Sequence, residues 1–250
     1  MLSRMDTYYG SDLAWVHHTG YSQHVENTAQ GIVRLLCEGG LPRAAHVLDV
    51  GCGSGLLARR LLESGFAVTG IDASPAMIDL ARSYAPGAQF RVMKLPTGSS
   101  GRDARLPEAD GVVSTGHVLN YLDTRDDIAR ALGELARALR PGGMIAIDLM
   151  TERFPERREA QAVHAKVTDD WAIVTRFSRP GSFRFDRHIT VFRRDGEHWR
   201  RSDEHHRNVT FDPQDALQIL RDNKIDARER AAFGNETLPG GLIVLTGTRR

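Results

Sequence analysis

The chain has 250 residues, 41% hydrophobic and 26% charged, with 33 basic and 32 acidic side chains for a formal net charge of +1. That size supports one large α/β domain with an insertion, and that balance excludes a disordered chain and any global pull toward nucleic acid or anionic lipid. Cys37 and Cys52 make no disulfide framework, and no apolar run is long enough for a bilayer, so the sequence predicts a soluble, reduced, cytoplasmic protein.

Residues 1–43 predict a helical lid. An aromatic and histidine-rich stretch (Tyr8, Tyr9, Trp15, His17, His18, Tyr21) precedes a helix over Gln23–Cys37, where Val25, Ala29, Ile32, Val33 and Leu36 recur at helical spacing. Gly39-Gly40 and Pro42 stop that helix.

Residues 44–150 alternate strands and helices. Strands are expected at His46–Val50, Ala67–Ile71, Gln89–Leu95, Gly111–Thr115 and Met144–Leu149. Helices are expected at Leu56–Glu63, from Pro75 to Tyr84 behind a Ser74 N-cap, and at Arg125–Leu139, stopped by Pro141-Gly142-Gly143. Such alternation implies a parallel sheet covered on both faces.

Residues 151–211 break the rhythm with four strand patterns: Val163–Val167, Trp171–Phe177, Arg184–Arg193 and Glu197–Arg207, the last two flanking the turn signal Asp195-Gly196. Their many charges (Arg184, Arg187, Arg193, Arg194, Arg200, Arg201 and Arg207, interleaved with Asp203 and Glu204) read mostly as solvated edges, with a minority lining a pocket for carboxylate or phosphate. His205-His206 is no metal site, because neighbours on a strand face opposite ways. Residues 212–250 return to the core: a helix with Pro213 at its first position, then strands Ile225–Phe233 and Leu242–Thr248. The short link between those strands requires an antiparallel pair.

The most specific feature is Val47-Leu48-Asp49-Val50-Gly51-Cys52-Gly53-Ser54-Gly55-Leu56, a strand running into a glycine loop and a helix start. Glycines let a ligand approach the backbone, and the helix start offers free N–H groups. Asp72, at the end of the second strand, can accept hydrogen bonds from both hydroxyls of a ribose. Cys52 reads as a small lining residue rather than a nucleophile, since nothing nearby activates it. A dinucleotide fingerprint wants glycine where Leu56 stands, which opposes a nicotinamide-dependent oxidoreductase.

The loop Asp49-Val50-Gly51-Cys52-Gly53-Ser54-Gly55, the acid in Gly70-Ile71-Asp72-Ala73-Ser74 and the turn Leu139-Arg140-Pro141-Gly142-Gly143 resemble the class I S-adenosylmethionine-dependent methyltransferases of small-molecule type. The resemblance covers residues 44–150 well and 212–250 loosely. It implies a Rossmann-like, seven-stranded, mostly parallel sheet with a reversed last strand and helices on both faces, here with an antiparallel β insertion as a cap. It implies S-adenosyl-L-methionine as cofactor, S-adenosyl-L-homocysteine as product, and cofactor contacts at Asp49, Gly51, Cys52, Gly53, Gly55, Asp72, Ala73, Met77, Met93, Lys94, Thr115 and Gly116. Relatives often carry an acid or small polar residue after strand three, toward the adenine amino group. Here Arg91-Val92-Met93-Lys94-Leu95 has none, leaving Met93 to cover the ring and Asp103 as the candidate acid.

The resemblance places the segment after strand four, Ser114-Thr115-Gly116-His117-Val118-Leu119-Asn120-Tyr121-Leu122, before the transferable methyl. It lacks the Pro-Pro-aromatic motif of enzymes acting on nucleobases. His117 and Tyr121 are the candidate catalytic residues, His117 either as general base or as a residue ordering the loop. Tyr9, Trp15, His18 and Tyr21 are the candidate acceptor contacts, and Tyr8 belongs to the same lid. The expected reaction is N- or O-methylation of a small molecule by in-line displacement, by a monomer or homodimer. A protein of this fold that holds the cofactor without transferring methyl is the alternative.

Overall fold

The computed structural model describes residues 8–97, 105–154 and 163–250; the expected acid Asp103 lies outside them. Local signals place the first elements where the sequence expects them. The apolar run His46–Val50 forms β1, Leu56–Glu63 forms α3, and Ala67–Asp72 forms β2. Helix α4 (Pro75–Tyr84) starts behind Ser74, whose side chain accepts from the Met77 N–H. Strand β3 is Gln89–Val92, β4 is Ala109–Ser114, and α5 (Arg125–Ala138) is capped by Thr124.

Several boundaries differ from expectation. Strand β3 stops at Val92, after which the Met93 N–H makes a last bond to the Asp72 carbonyl. Strand β5 runs Leu139–Met150, so Pro141-Gly142-Gly143 lies within the strand instead of before it. Leu139 pairs with Ala109, and a register shift between Ala109 and Gly111 accommodates the interruption. The histidine-rich stretch is itself a helix, α1 (Ser11–Gly20), ahead of α2 (Ser22–Glu38).

The main sheet has the order β10-β11-β5-β4-β1-β2-β3, where β10 is Ile225–Arg230 and β11 is Leu242–Arg249. Strands β1 to β5 are mutually parallel, and β11 runs antiparallel to both β5 and β10. The period of two sends neighbours to opposite faces. Leu48, Val112, Ile145 and Ile147 pack in one core with α5 and α6 (Pro213–Asp222), while Val47, Val68, Val113 and Ala146 pack in another with α2, α3 and α4. This is the α/β architecture expected, a Rossmann-like sheet with one reversed strand and helices on both faces.

The insertion is a separate antiparallel sheet in the order β6-β7-β8-β9: Val163–Val167, Trp171–Gly181, Arg184–Asp195 and His198–Val209. Asp195 pairs with His198, so the two-residue turn is Gly196-Glu197 rather than one centred on Asp195-Gly196. Gly196, at φ 62°, takes the left-handed conformation such a turn needs. The sheet's inner face packs on α1 through Leu13, Val16, Trp171, Ile173, Ile189 and Val191. Among the described residues no helix is long and apolar enough to cross a membrane.

Candidate active site

The carboxyl ends of β1, β2, β3 and β4 open into a cavity of about 1000 Å³, closed on the other side by α1 and the second sheet. The glycine loop forms its floor. A Cβ on Gly51 would lie 2.4 Å from both Val118 methyls, so this glycine lets the loops after β1 and β4 touch. Gly53, at φ 51°, has nothing nearer its absent Cβ than the Met77 sulfur at 4.0 Å, leaving its backbone open to the cavity. Gly55 sits behind the loop against Ala81 and does not line the cavity. The other expected cofactor contacts all line it: Asp49, Gly51, Cys52, Gly53, Asp72, Ala73, Met77, Met93, Lys94, Thr115 and Gly116.

Three acids stand at this end. Asp72 Oδ2 accepts from the Gly53 N–H at 3.0 Å and its Oδ1 from the Ser74 N–H at 2.8 Å, which fixes the carboxylate at the mouth of the loop. Asp148, late in β5, accepts from the N–H groups of Gly116 and His117, both at 2.8 Å. Asp49 is buried, and its Oδ2 has no hydrogen-bond partner. Burial pushes Asp49 up to about 7, with Asp72 adding to the rise, and burial pushes Asp148 to about 7 as well. An orphaned acid beside a second, fixed carboxylate suits a ligand carrying an ammonium group and hydroxyls. Burial also pushes the Cys52 thiol well up, so it is no thiolate nucleophile.

The opposite wall is aromatic. His117, at φ 49°, holds its ring stacked on Tyr121 at 5.8 Å, with Nδ1 buried and unpartnered. Burial first, then the Arg187 charge, hold His117 well below the usual histidine value, so its imidazole is neutral. The Tyr121 hydroxyl lies 2.9 Å from that of Tyr9 and accepts from Arg187 Nη2. Tyr9 is fastened by its backbone: its N–H and that of Gly10 donate to Glu204 at 2.7 and 2.9 Å, and its carbonyl accepts from Ser74 Oγ at 2.7 Å.

Of the four expected acceptor contacts, Tyr9 and Tyr21 line the cavity, and so does Tyr8. Trp15 and His18 do not. Leu13, His17 and Tyr21, four residues apart, turn inward, which directs positions 15 and 18 elsewhere. Trp15 joins the α1 core under the Arg193 guanidinium, 4.1 Å from its ring centre. His18 Nδ1 meets Ser54 Oγ at 2.8 Å, and its ring packs against Tyr84. His17, which the sequence reading did not select, faces the cavity and is lowered to about 4 by burial and by Arg187.

The insertion's charges also divide differently from expectation. Arg193 and Arg200 pair with the buried Asp12 of α1 rather than standing as solvated edges, and Arg187 points into the cavity, within the minority expected to line a pocket. His205 bonds Asp186 at 2.9 Å on the outer face, while His206 is buried inward, 2.7 Å from Glu204. Asn120 was also missed. It is buried after β4, accepts from the Met150 N–H, and donates to the carbonyls of Met150 and Val209.

Comparison with known proteins places this geometry. Residues 47–143 match the family model described as a methyltransferase domain. YqeM of Bacillus subtilis, a protein named as a methyltransferase, is 29% identical over 213 residues, spanning 81% of this chain and 82% of its own. An S-adenosylmethionine-dependent methyltransferase of Clostridium acetobutylicum superposes with a TM-score of 0.77 at 18% identity, covering 94% of this chain and 97% of that one. CalS10, an amino pentose methyltransferase of Micromonospora echinaspora solved with S-adenosylmethionine bound, gives a TM-score of 0.72 at 23% identity, covering 97% and 98%. At those identities the two structures speak for the fold; the family match speaks for the segment that carries the glycine loop, Asp72 and His117. The chain carries a methyltransferase domain over residues 47–143 and has the fold of S-adenosylmethionine-dependent methyltransferases of known structure.

Proposed function

We propose that the protein methylates a nitrogen or oxygen of a small molecule bound between the glycine loop and the second sheet. The observation that carries this reading is one continuous cavity of about 1000 Å³, running from Gly51–Gly53 to the inner face of β7 and β8 under a fastened Tyr9. Small-molecule and cofactor sites span about 300–1000 Å³, so this one has room for a cofactor and a modest acceptor together. The amino pentose named for CalS10 is an acceptor of that kind.

In this reading the described parts of residues 1–43 are a lid, those of 44–150 together with 212–250 are the cofactor core, and those of 151–211 are the cap. Asp72 would hold the ribose, Asp49 the ammonium and the Gly53 backbone the amino-acid portion, with Met93 against the adenine. Bound there, the cofactor supplies an electrophilic sulfonium methyl. Tyr9 and Tyr21 keep water out, and alignment in such a closed site can contribute about 7–11 kcal/mol to the barrier reduction. His117 is neutral and its Nδ1 unpartnered, so it can accept a proton when the acceptor must lose one, as a base that burial and Arg187 weaken.

The test is thermal shift with S-adenosylhomocysteine and with NAD, followed by acceptor-dependent release of S-adenosylhomocysteine. At a hundredfold excess over Kd, S-adenosylhomocysteine should stabilise the fold by about 2.7 kcal/mol and NAD should not. Asp72→Ala should weaken that binding by about tenfold or more, since it removes charge-assisted hydrogen bonds. Unchanged affinity would remove Asp72 from the ribose site. Binding without turnover on any small acceptor would favour a cofactor-holding protein.

A further inference from the structure

We propose that Arg187 binds an anionic group of the acceptor, a carboxylate or a phosphate ester, in the cap half of the cavity. This rests on the methyltransferase reading of that cavity and adds the chemical class of its acceptor. Alternate residues of β8 face inward, and the row reads Phe185, Arg187, Ile189, Val191, a lone cation in an apolar line. The guanidinium donates through Nη2 to the Tyr121 hydroxyl and to Asn208 Oδ1, the latter at 3.0 Å. Its Nε is buried without a partner, and Nη1 donates no hydrogen bond among the described residues.

Three of the nearby acids are already engaged. Glu204, on the inner face of β9, holds the Tyr9 and Gly10 N–H groups and His206. Asp72 and Asp148 each hold two backbone N–H groups. No described carboxylate forms an ion pair with Arg187, and the groups that answer its charge are tyrosines. The field is felt across the cavity, where Arg187 lowers the affinity of His17, His117 and His206 for protons. Burying a guanidinium without a counter-charge is costly, and its planar fork matches carboxylate and phosphate oxygens. Ile173, Phe177, Phe185 and Ile189 line the same region, so an acid on an apolar or aromatic body fits it.

The experiment uses the full chain saturated with S-adenosylhomocysteine. Binding of phenylacetate and phenyl phosphate is compared with that of phenylacetamide by ligand-observed NMR titration. At least one anion should bind tenfold or more tightly than the amide, and which of the two binds better identifies carboxylate or phosphate as the natural group. Arg187→Met should reduce the anion to the level of the amide, Arg187→Lys should retain part of the preference, and both should keep S-adenosylhomocysteine affinity within about twofold. Equal binding of acid and amide by the wild type overturns the proposal without recourse to any variant. Parallel loss of S-adenosylhomocysteine in a folded Arg187→Met overturns it differently, by assigning Arg187 to the cofactor. If S-adenosylhomocysteine itself does not bind the wild type, the methyltransferase reading has failed instead.

Discussion

Replacing Asp49 by Asn should make the protein more stable and its cofactor site weaker. The carboxyl is fully buried, its Oδ2 has no partner, and its pKa rises from 3.8 to about 7 through burial and the neighbouring Asp72. A group whose folded pKa is raised favours the fold when protonated and loses that contribution as pH climbs through the folded value. At about 1.4 kcal/mol per pH unit, the cost grows between about pH 4 and pH 7 and reaches about 4 kcal/mol above that. Asn keeps the shape and removes the titration. Urea unfolding near pH 8 should therefore show Asp49→Asn more stable than wild type by roughly 2–4 kcal/mol, the gap closing toward about pH 4. Calorimetry should show S-adenosylhomocysteine binding weakened, because its ammonium loses a counter-charge. A stability difference that is the same at both pH values, or a variant less stable near pH 8, would refute the reasoning.

Two other predictions concern the segment after β4. Asn120→Ala should destabilise by about 2–4 kcal/mol in urea unfolding, because it strands the Met150 N–H and the Val209 carbonyl in the core, the Met150 carbonyl keeping the Phe211 N–H; a loss below about 1 kcal/mol would mean the strands close up around the gap. With an acceptor in hand, His117→Ala should lower turnover by about 10²–10⁴-fold if the acceptor loses a proton to it. The wild-type profile should carry no His117 limb near neutrality, since burial and Arg187 keep that ring unprotonated there; a limb at the ordinary histidine value that vanishes in the variant would contradict the electrostatics.

What the sequence made legible was mostly local. Ser74 and Asp212 mark helix starts because their side chains cap N–H groups within three residues. The glycine loop and Asp72 are legible for a similar reason: the loop and the strand that follows it carry both halves of the contact, and Asp72 closes on the Gly53 N–H. The misses depend on which way an element faces. His17 and His18 look alike in composition, and only the period of α1 against Leu13 and Tyr21 separates them. Composition says only that a minority of the seven arginines lines a pocket; the place of Arg187 between Phe185 and Ile189 at a spacing of two is what puts it on the apolar face. Asp148 left a similar trace as the one charge in Met144–Met150, a run buried on both sides of the sheet. The strand running through Pro141-Gly142-Gly143 left none, because only pairing with Ala109 makes Leu139 extended.

Charged groups at its two ends give the cavity its polarity. Asp49, Asp72 and Asp148 gather at the strand ends, Arg187 stands across from them on β8, and His17 and His117 lie on the lining as neutral imidazoles. Desolvation would by itself neutralise the acids, and it does raise all three. A cationic ligand at that end reverses the effect by supplying the missing counter-charge, just as an anion does for Arg187. On the proposals above, two ligands of opposite sign complete these uncompensated charges, and an unprotonated ring faces the same space. A cavity built only to be filled by apolar packing has no reason to hold a partnerless carboxylate oxygen at one end and a partnerless guanidinium nitrogen at the other.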